Sequence, residues 1–353
     1  MNRITCNVHH SISDRVIKVL REAESKSAFL ESCRYVRQMQ RKRALGLPGT
    51  RTQLDDAPGD RFYITDEPNI AAGIMDQLAK KAELDIPGHG SIMIQEVLVH
   101  DGKTEAPALP SSRDLSHITC ILSSPGSGEH LAGIALDLGT GIPAVTLGIG
   151  TGLRDRLGLL RVTIPPEKEL VHLIVPSHDT ESIIQLLVEH GRLNRPGGGF
   201  VYQVPVSRAL LDTRMRIGAQ EHAASIEQII AALDELRGST SWRKRFVDPK
   251  PRNLRFMRKQ REIISSCREG YAGELVAAAM RAGATGATIS RVQNIGIASG
   301  EGQTAAWERV TCLVPSGISI HVAESMAAHS LRDSLNYGNI EIINAPLSYS
   351  YGS

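Results

Sequence analysis

The sequence predicts an α+β protein in which three tandem ferredoxin-like (βαββαβ) domains form an intramolecular pseudo-trimer. Two observations support this prediction. A similar strand-like segment occurs three times along the chain. Each copy continues with the same order of helix, glycine-containing turn and strand. The length of 353 residues fits two to three domains of about 100–150 residues each.

Each copy opens with a strand followed by a helix. The segment RITCNV at 3–8 returns as HITCIL at 117–122 and, more loosely, as REIISSC at 261–267. Apolar residues at helical spacing follow each segment, such as Val16 and Leu20 in the first copy. This spacing predicts an amphipathic helix after every opening strand.

A strand–helix–strand module completes each copy. Its first strand is predicted to open at Asp60, Glu169 and Glu308 in the three copies. A helix follows, and then a glycine-containing turn leads into the last strand. These turns and last strands are PGHGSIMIQEV from Pro87, PGGGFVYQVPV from Pro196 and NYGNIEIINAP from Asn336.

The resulting order is that of a four-stranded antiparallel sheet with two helices on one face. In the second copy, the runs ITCIL and LVHLIVP are apolar on both alternating faces. The face without helices must therefore also be buried. We expect the three sheets to pack inward around a shared pseudo-threefold axis, with an open solenoid of repeats as the alternative.

The predicted domains are residues 1–100, 115–218 and 261–353. A Pro/Ser-rich linker, DGKTEAPALPSSRDLS, separates the first two. Residues 219–260 are predicted to form a connector that begins as a helix and continues into a basic stretch. From Arg237 to Arg261 there are ten Lys or Arg and one acid, which is typical of a solvated surface segment.

The composition argues against several classes of protein. The formal net charge of +2 predicts no nucleic-acid partner for the protein as a whole. The five cysteines form no CxxC pair, which argues against a disulfide framework and favours a reducing cytoplasm. No run of eighteen apolar residues occurs, and the first residues, MNRITCNVHHSISD, lack the apolar core of a signal peptide. We therefore expect a cytoplasmic protein without membrane insertion.

Neither the histidines nor the cysteines are predicted to form a metal site or a reactive group. No two histidines share metal-ligand spacing with a nearby carboxylate or thiol, so no metal site is predicted. Cys6 and Cys120 hold equal positions in their copies, and we interpret them as small apolar residues on buried strands.

The second copy contains the residues that a small anion would need. Backbone N–H groups in a glycine-rich turn converge on an anion, and Gly197, Gly198 and Gly199 form such a turn. Arg214 and Arg216 add two guanidinium groups, each matched to a phosphate or carboxylate. The alternative is that the glycines only form a tight hairpin and the arginines pair with surface acids.

Three motifs of the second copy, taken in order, resemble the PII nitrogen-regulatory proteins. GIPAVTLGIGTG from Gly141 is similar to the second strand of that family and the glycine pair that opens its long T-loop. GGGFVYQVPV from Gly197 is similar to its B-loop and last strand, and TRMRIG from Thr213 is similar to its final Arg-x-Arg element. By the logic of the repeat, the resemblance extends to most of the chain.

The resemblance implies a regulatory protein rather than an enzyme. Proteins of this family are homotrimers with effector clefts between subunits, so the implied effector is an adenine nucleotide (ATP, ADP or AMP) in a cleft between domains, with no cofactor required. Gly148 and Gly150 would line its base or ribose side. T-loop-like segments at 34–60, 152–168 and 293–307 would present the effector state to a target enzyme or transporter. The chain itself would be monomeric, since it carries all three copies.

The departures from the family leave two alternatives open. The B-loop lysine of the family is replaced by Phe200, Ser91 and Asn339 in the three copies, so three equal triphosphate sites are not predicted. One alternative is a structural or adaptor protein that has lost effector binding. The other is an enzyme at a domain interface, which predicts a pocket containing a perturbed acid or histidine.

Overall fold

The computed structural model describes residues 1–23, 25, 28–42, 50–86, 88–100, 109–138, 140–152, 166–212, 254–295, 305–330 and 336–351. The elements fall into three segments. The first contains β1 (Asn2–His9), α1 (Ser13–Glu22), β2 (Ala28–Lys42), β3 (Thr50–Asp66), α2 (Pro68–Lys81), β4 (Gly90–Glu96) and β5 (Leu98–His100). The second contains β6 (Leu115–Leu122), α3 (Ser127–Asp137), β7 (Ala144–Gly152), β8 (Glu167–Pro176), α4 (Thr180–His190), β9 (Gly199–Val206) and β10 (Arg208–Leu210). The third contains β11 (Met257–Arg268), α5 (Ala272–Arg281), β12 (Gly286–Asn294), β13 (Ala305–Pro315), α6 (Ser319–Ser330) and β14 (Tyr337–Ser350).

The prediction of three tandem ferredoxin-like domains arranged as a pseudo-trimer is wrong. Backbone hydrogen bonds join the strands of all three segments into one 14-stranded antiparallel sheet. Nine of these strands close into an antiparallel barrel, in the order β2-β12-β13-β11-β14-β9-β6-β8-β7 and back to β2. The physical reason lies at the sheet edges, where unpaired N–H and C=O groups are costly. The second strands β2, β7 and β12 pair with one another instead of ending three separate sheets.

The tails of the segments also pair across segment boundaries. β5 pairs with β14, β10 pairs with β4, and the last residues of β14 pair with β9. The end of each segment thus pairs with β4, β9 or β14 of another segment. Sequence periodicity is local and carries no information on these pairings.

The helices pack outside the sheet, and each segment has an apolar core between its helices and its strands. The predicted helical faces are buried, including Val16 and Leu20 on α1. The burial predicted for Cys6 and Cys120 is confirmed, since both are fully buried free thiols. Burial raises the pKa of the Cys6 thiol to about 12, as expected for an unreactive side chain.

An acidic side chain on the third strand of each segment accepts hydrogen bonds from groups at the start of that segment's first helix. Glu169 accepts a hydrogen bond from the N–H of Gly128 at 2.6 Å, and Glu308 accepts two backbone N–H groups at the start of α5. In the first segment, Asp60 accepts a hydrogen bond from the hydroxyl of Ser13. Helix N-termini carry unpaired N–H groups and favour negative charge, so these acids fix each helix on its strand.

The connector predicted at 219–260 lies largely outside the described residues, together with most of its basic stretch. In the part of the chain that the structure describes, no helix is both long and apolar enough to cross a lipid bilayer. The same part shows no group of three or more His, Cys, Asp or Glu side chains placed to hold a metal ion.

Candidate ligand-binding cleft

A cavity of about 560 Å³ lies where the second segment meets the third, at the pairing of β7 with β12. This volume is in the range of small-molecule sites, which is about 300–1,000 Å³. Its lining comes from the ends of paired strands and from the turn before β9. The lining residues are Ile121, Ser123, 150–152, Pro166, Lys168, Gly197, Gly199, Phe200, Met257, Gln260, 285–288, 311–313, Pro315, Ser350 and Tyr351.

The lining combines apolar walls with one charge. Lys168 is the charged residue among the described lining residues, which include no carboxylate. Phe200 and Met257 contribute apolar surface, and Gln260 contributes an amide. A cation beside apolar walls suits a ligand that combines a negative charge with apolar surface.

Two glycines of this cleft allow close approaches. A Cβ on Gly150 would lie 2.5 Å from Cε of Lys168, so the aliphatic part of the lysine side chain runs across the bare backbone of β7. Gly199 has a φ of +123°, and a Cβ there would lie 1.9 Å from the carbonyl oxygen of Ile121. These close approaches place the lysine and the β9 turn on the wall of the same cavity.

The structure brings together three of the predicted site residues. Gly150, Gly197 and Gly199 line the cavity. Gly198 does not, because its N–H donates to the carbonyl oxygen of Arg195 at 3.0 Å; the turn therefore offers fewer N–H groups than the sequence predicted. Gly148 is also absent from the lining, since it packs against β12, where a Cβ would lie 2.8 Å from Thr288. The predicted Arg214 and Arg216 lie outside the described residues.

Sequence reasoning missed Lys168 and the whole contribution of the third segment. Lys168 directly precedes the apolar run ELVHLIVP. A cation next to the start of a buried strand was the available sequence signal for this residue. No local signal pointed to Gln260 or to residues 285–288, because their approach depends on the pairing of β7 with β12.

Strand register identifies the residues that correspond to this cleft in the other segments. Gly59, Lys168 and Trp307 each precede the helix-capping acid directly, and each pairs with the second strand of its own segment. Lys168 pairs with Gly148, and Gly150 lies two residues further along that strand. Gly59 pairs with Cys33, and Tyr35 lies two residues further along that strand. The clefts therefore differ at the positions of Lys168 and Gly150.

The other two corresponding clefts are filled by aromatic side chains. Tyr35 lies over Gly59, where a Cβ would come within 2.4 Å of the ring, and Tyr35 is only 3% exposed. Trp307 stacks at a tilt on Phe29 across the pairing of the first and third segments, with ring centroids 5.4 Å apart. Of the three corresponding positions among the described residues, the cleft at Gly150 is thus the open one.

A second, much smaller cavity lies between the first and second segments. It has a volume of about 10 Å³ and is lined by Asn7, Arg61, Ser91, His117, His172 and Asp212, together with residues of β4, β8 and the β10 tail. That volume is about the size needed for one water molecule. The histidines that line it therefore have no substrate-sized space beside them in the described structure.

Buried charged side chains form a network between strands of the first and third segments. Arg3 contacts Glu262 and Glu341 at 3.3 Å each, and it donates to Gln95 at 2.9 Å. Arg61 donates to Asn7 at 2.8 Å. Buried positions on these strands are therefore partly charged.

Two stacked histidines extend this network. The rings of His117 and His172 lie 5.4 Å apart and nearly parallel, and His172 contacts Thr146 at 3.2 Å. Burial, followed by the nearby charge of Arg61, lowers the pKa of both imidazoles well below their usual range. Both side chains are therefore neutral in the folded protein at pH 7.

Acidification is expected to destabilise the protein through these histidines. The unfolded chain protonates them below about pH 6.5, whereas the folded protein does so only at a lower pH. Their contribution is full above pH 6.5 and falls by about 1.4 kcal/mol per pH unit for each histidine as the pH drops towards the folded-state pKa. Denaturant unfolding between pH 7.5 and pH 5 measures this slope.

The variant His172→Asn isolates the effect, because other buried groups such as Glu31, whose pKa burial raises, remain in both proteins. Its slope should be shallower by about 1.4 kcal/mol per pH unit. A matched change at His178, whose side chain is 80% exposed, should leave the slope as it is. Equal slopes for wild type and His172→Asn would contradict the assignment.

The comparisons with known proteins add no relative. No protein-family model matches the sequence, and the search of curated proteins finds no match.

Proposed function

We propose that the protein binds one small anionic ligand, of the adenine nucleotide class, in the cleft beside Gly150, and that it acts as an effector-binding protein. The observation that carries the proposal is a cavity of about 560 Å³ whose described lining has one cation, Lys168, and no carboxylate. The apolar wall at Phe200 suits a flat base, and the N–H groups near Gly197 suit an oxyanion.

The position of the cleft supports a regulatory role for the bound ligand. Gly152 and Pro166 line it, and they flank residues 153–165, which correspond to the T-loop-like segment predicted from the sequence. A ligand in the cleft contacts both ends of this segment. We therefore extend the proposal to a partner protein, a target enzyme or transporter, that reads the ligand through residues 153–165.

Calorimetric titration with ATP, ADP and AMP tests the proposal. Wild type should bind one ligand per chain, and Lys168→Ala should weaken binding by about 10–100-fold, because a charge-assisted contact is lost. Gly150→Tyr should abolish binding without changing any charge, because it places in this cleft the side chain that fills the first one.

Lys80→Ala is the matched control, since Lys80 is an exposed lysine on α2, remote from the cleft lining, and binding should be unchanged. Absence of binding by wild type at millimolar nucleotide would overturn the nucleotide proposal. It would favour the adaptor alternative, to which the aromatic filling of the other two clefts already points.

A further inference from the structure

The turn before β4 has the same backbone form as the turn that lines the open cleft. Gly88 and Gly90 have φ angles of 83° and 150°, and Gly197 and Gly199 have φ angles of 72° and 123°. Each turn leads directly into the last strand of its segment. Backbone N–H groups in such turns bind anions. The N–H of His89 donates to the carbonyl oxygen of Ile86 at 3.1 Å, so the first turn offers an anion the N–H of Gly88.

A carboxylate of the chain itself occupies this turn. Oδ2 of Asp212 accepts a hydrogen bond from the N–H of Gly88 at 2.7 Å, and Asp212 is 4% exposed. Asp212 belongs to the second segment and follows β10, the tail that pairs with β4. The contact therefore joins two segments at the corresponding cleft.

Strand register identifies the residue that takes the place of Asp212 in the open cleft. Arg208 pairs with Ile94 of β4, and Leu347 pairs with Gln203, the corresponding residue of β9. Asp212 follows Arg208 by four residues, as Tyr351 follows Leu347. Tyr351 is 46% exposed and lines the cleft without filling it. One tail thus delivers a buried carboxylate, and the other leaves the cleft open.

The surroundings of Asp212 suit an anion. The small cavity beside it is also lined by Arg61, Asn7 and Ser91, which offer a cation, an amide and a hydroxyl. The carboxylate that accepts from the N–H of Gly88 therefore lines a cavity whose wall also contains a guanidinium.

We propose that the Gly88–Gly90 turn is a second oxyanion-binding site, occupied by the Asp212 carboxylate, and that removing this side chain opens the turn to a small carboxylate or inorganic phosphate. The site is separate from the open cleft. Its evidence is the hydrogen bond between Gly88 and Asp212, so the inference goes beyond the proposed nucleotide binding and does not depend on it.

Chemical rescue tests the inference. Asp212→Ala should lower the Tm by about 2–8 °C. Millimolar sodium formate, acetate or phosphate should restore at least half of this loss, while sodium chloride at the same ionic strength should not. Wild type should show no comparable gain, because its turn is occupied. The three anions distinguish a site that accepts carboxylates from one that accepts phosphate.

A second variant covers the case in which alanine prevents folding. Asp212→Asn keeps the shape of the side chain, should fold, and should show a smaller Tm loss with little rescue because the amide still fills the turn. Asp212→Ser is a third variant, which removes the carboxylate but keeps a small polar side chain. Line broadening of the ¹⁹F signal of trifluoroacetate should report binding to Asp212→Ser and none to wild type.

Recovery by chloride to the same extent, or no recovery by any oxyanion, would overturn the inference. Rescue that disappears when Lys168→Ala is added would place the anion in the open cleft and would also overturn it. A wild type that binds no nucleotide leaves the rescue result interpretable, so the two proposals fail separately.

Discussion

Replacing Arg3 by leucine is expected to lower the free energy of unfolding by about 3–5 kcal/mol. Arg3 is 3% exposed, and its guanidinium contacts the carboxylates of Glu262 and Glu341 at 3.3 Å each. Burial alone would lower the pKa of Arg3, but the two carboxylates outweigh it and the pKa is raised. Without the arginine, Glu262 remains buried without its cation, and Glu341 keeps only the more distant Arg309 at 3.9 Å. Equilibrium unfolding in urea measures the loss.

Two further variants separate lost charge pairing from lost packing. Arg15→Leu breaks an exposed pair with Glu83, whose two side chains are 55% and 49% exposed, and should cost less than about 1 kcal/mol. The double variant Arg3→Leu/Glu262→Gln should recover part of the stability, because Glu262 is no longer a buried charge without a cation and Glu341 keeps Arg309 at 3.9 Å. A double variant as unstable as Arg3→Leu would show that packing, and not the charge, dominates.

Substituting alanine for Gly199 is expected to cost about 2–5 kcal/mol, since it combines backbone strain with overpacking. At this position φ is +123°, and a Cβ would lie 1.9 Å from a backbone oxygen, that of Ile121. The backbone of β6 would have to move away from β9 to admit a methyl group. Thermal and denaturant unfolding of the variant measure the cost.

Gly73→Ala is the matched control. Gly73 lies within α2, and a Cβ there would meet no heavy atom within 4 Å. Alanine has the higher helix propensity, so this variant should gain about 0.5–1 kcal/mol. If both alanine variants shifted stability in the same direction, the conformational requirement at Gly199 would be refuted.

The order of elements could be predicted from the sequence because it depends on local patterns. The recurrence of RITCNV as HITCIL identified β1 and β6, and helical spacing identified α1 through residues such as Val16 and Leu20. The assembly of the strands could not be predicted. The pairing of β2 with β7 and β12 joins edges that are distant in sequence, and no periodicity encodes which edges meet.

The candidate cleft could be predicted in part for the same reason. Glycine-rich turns are visible in the sequence, and Gly150, Gly197 and Gly199 line the cavity; their role in binding stays a prediction. Lys168 was missed because its place in the cavity wall depends on Gly150, which lies on the paired strand and has no side chain to displace the lysine. The network of buried charges was missed because Arg3 and Glu262 lie at equal positions of similar strands, where apolar neighbours dominate the pattern.

The ion pair between Arg3 and Glu341 spans 338 positions of the chain, and this separation has a consequence for synthesis. When the ribosome has released the first segment, the guanidinium has Gln95 as a partner but neither of its carboxylates. Glu262 and Glu341 emerge only after the intervening strands. A nascent first segment therefore carries a cation that stays hydrated until its carboxylates have been synthesised.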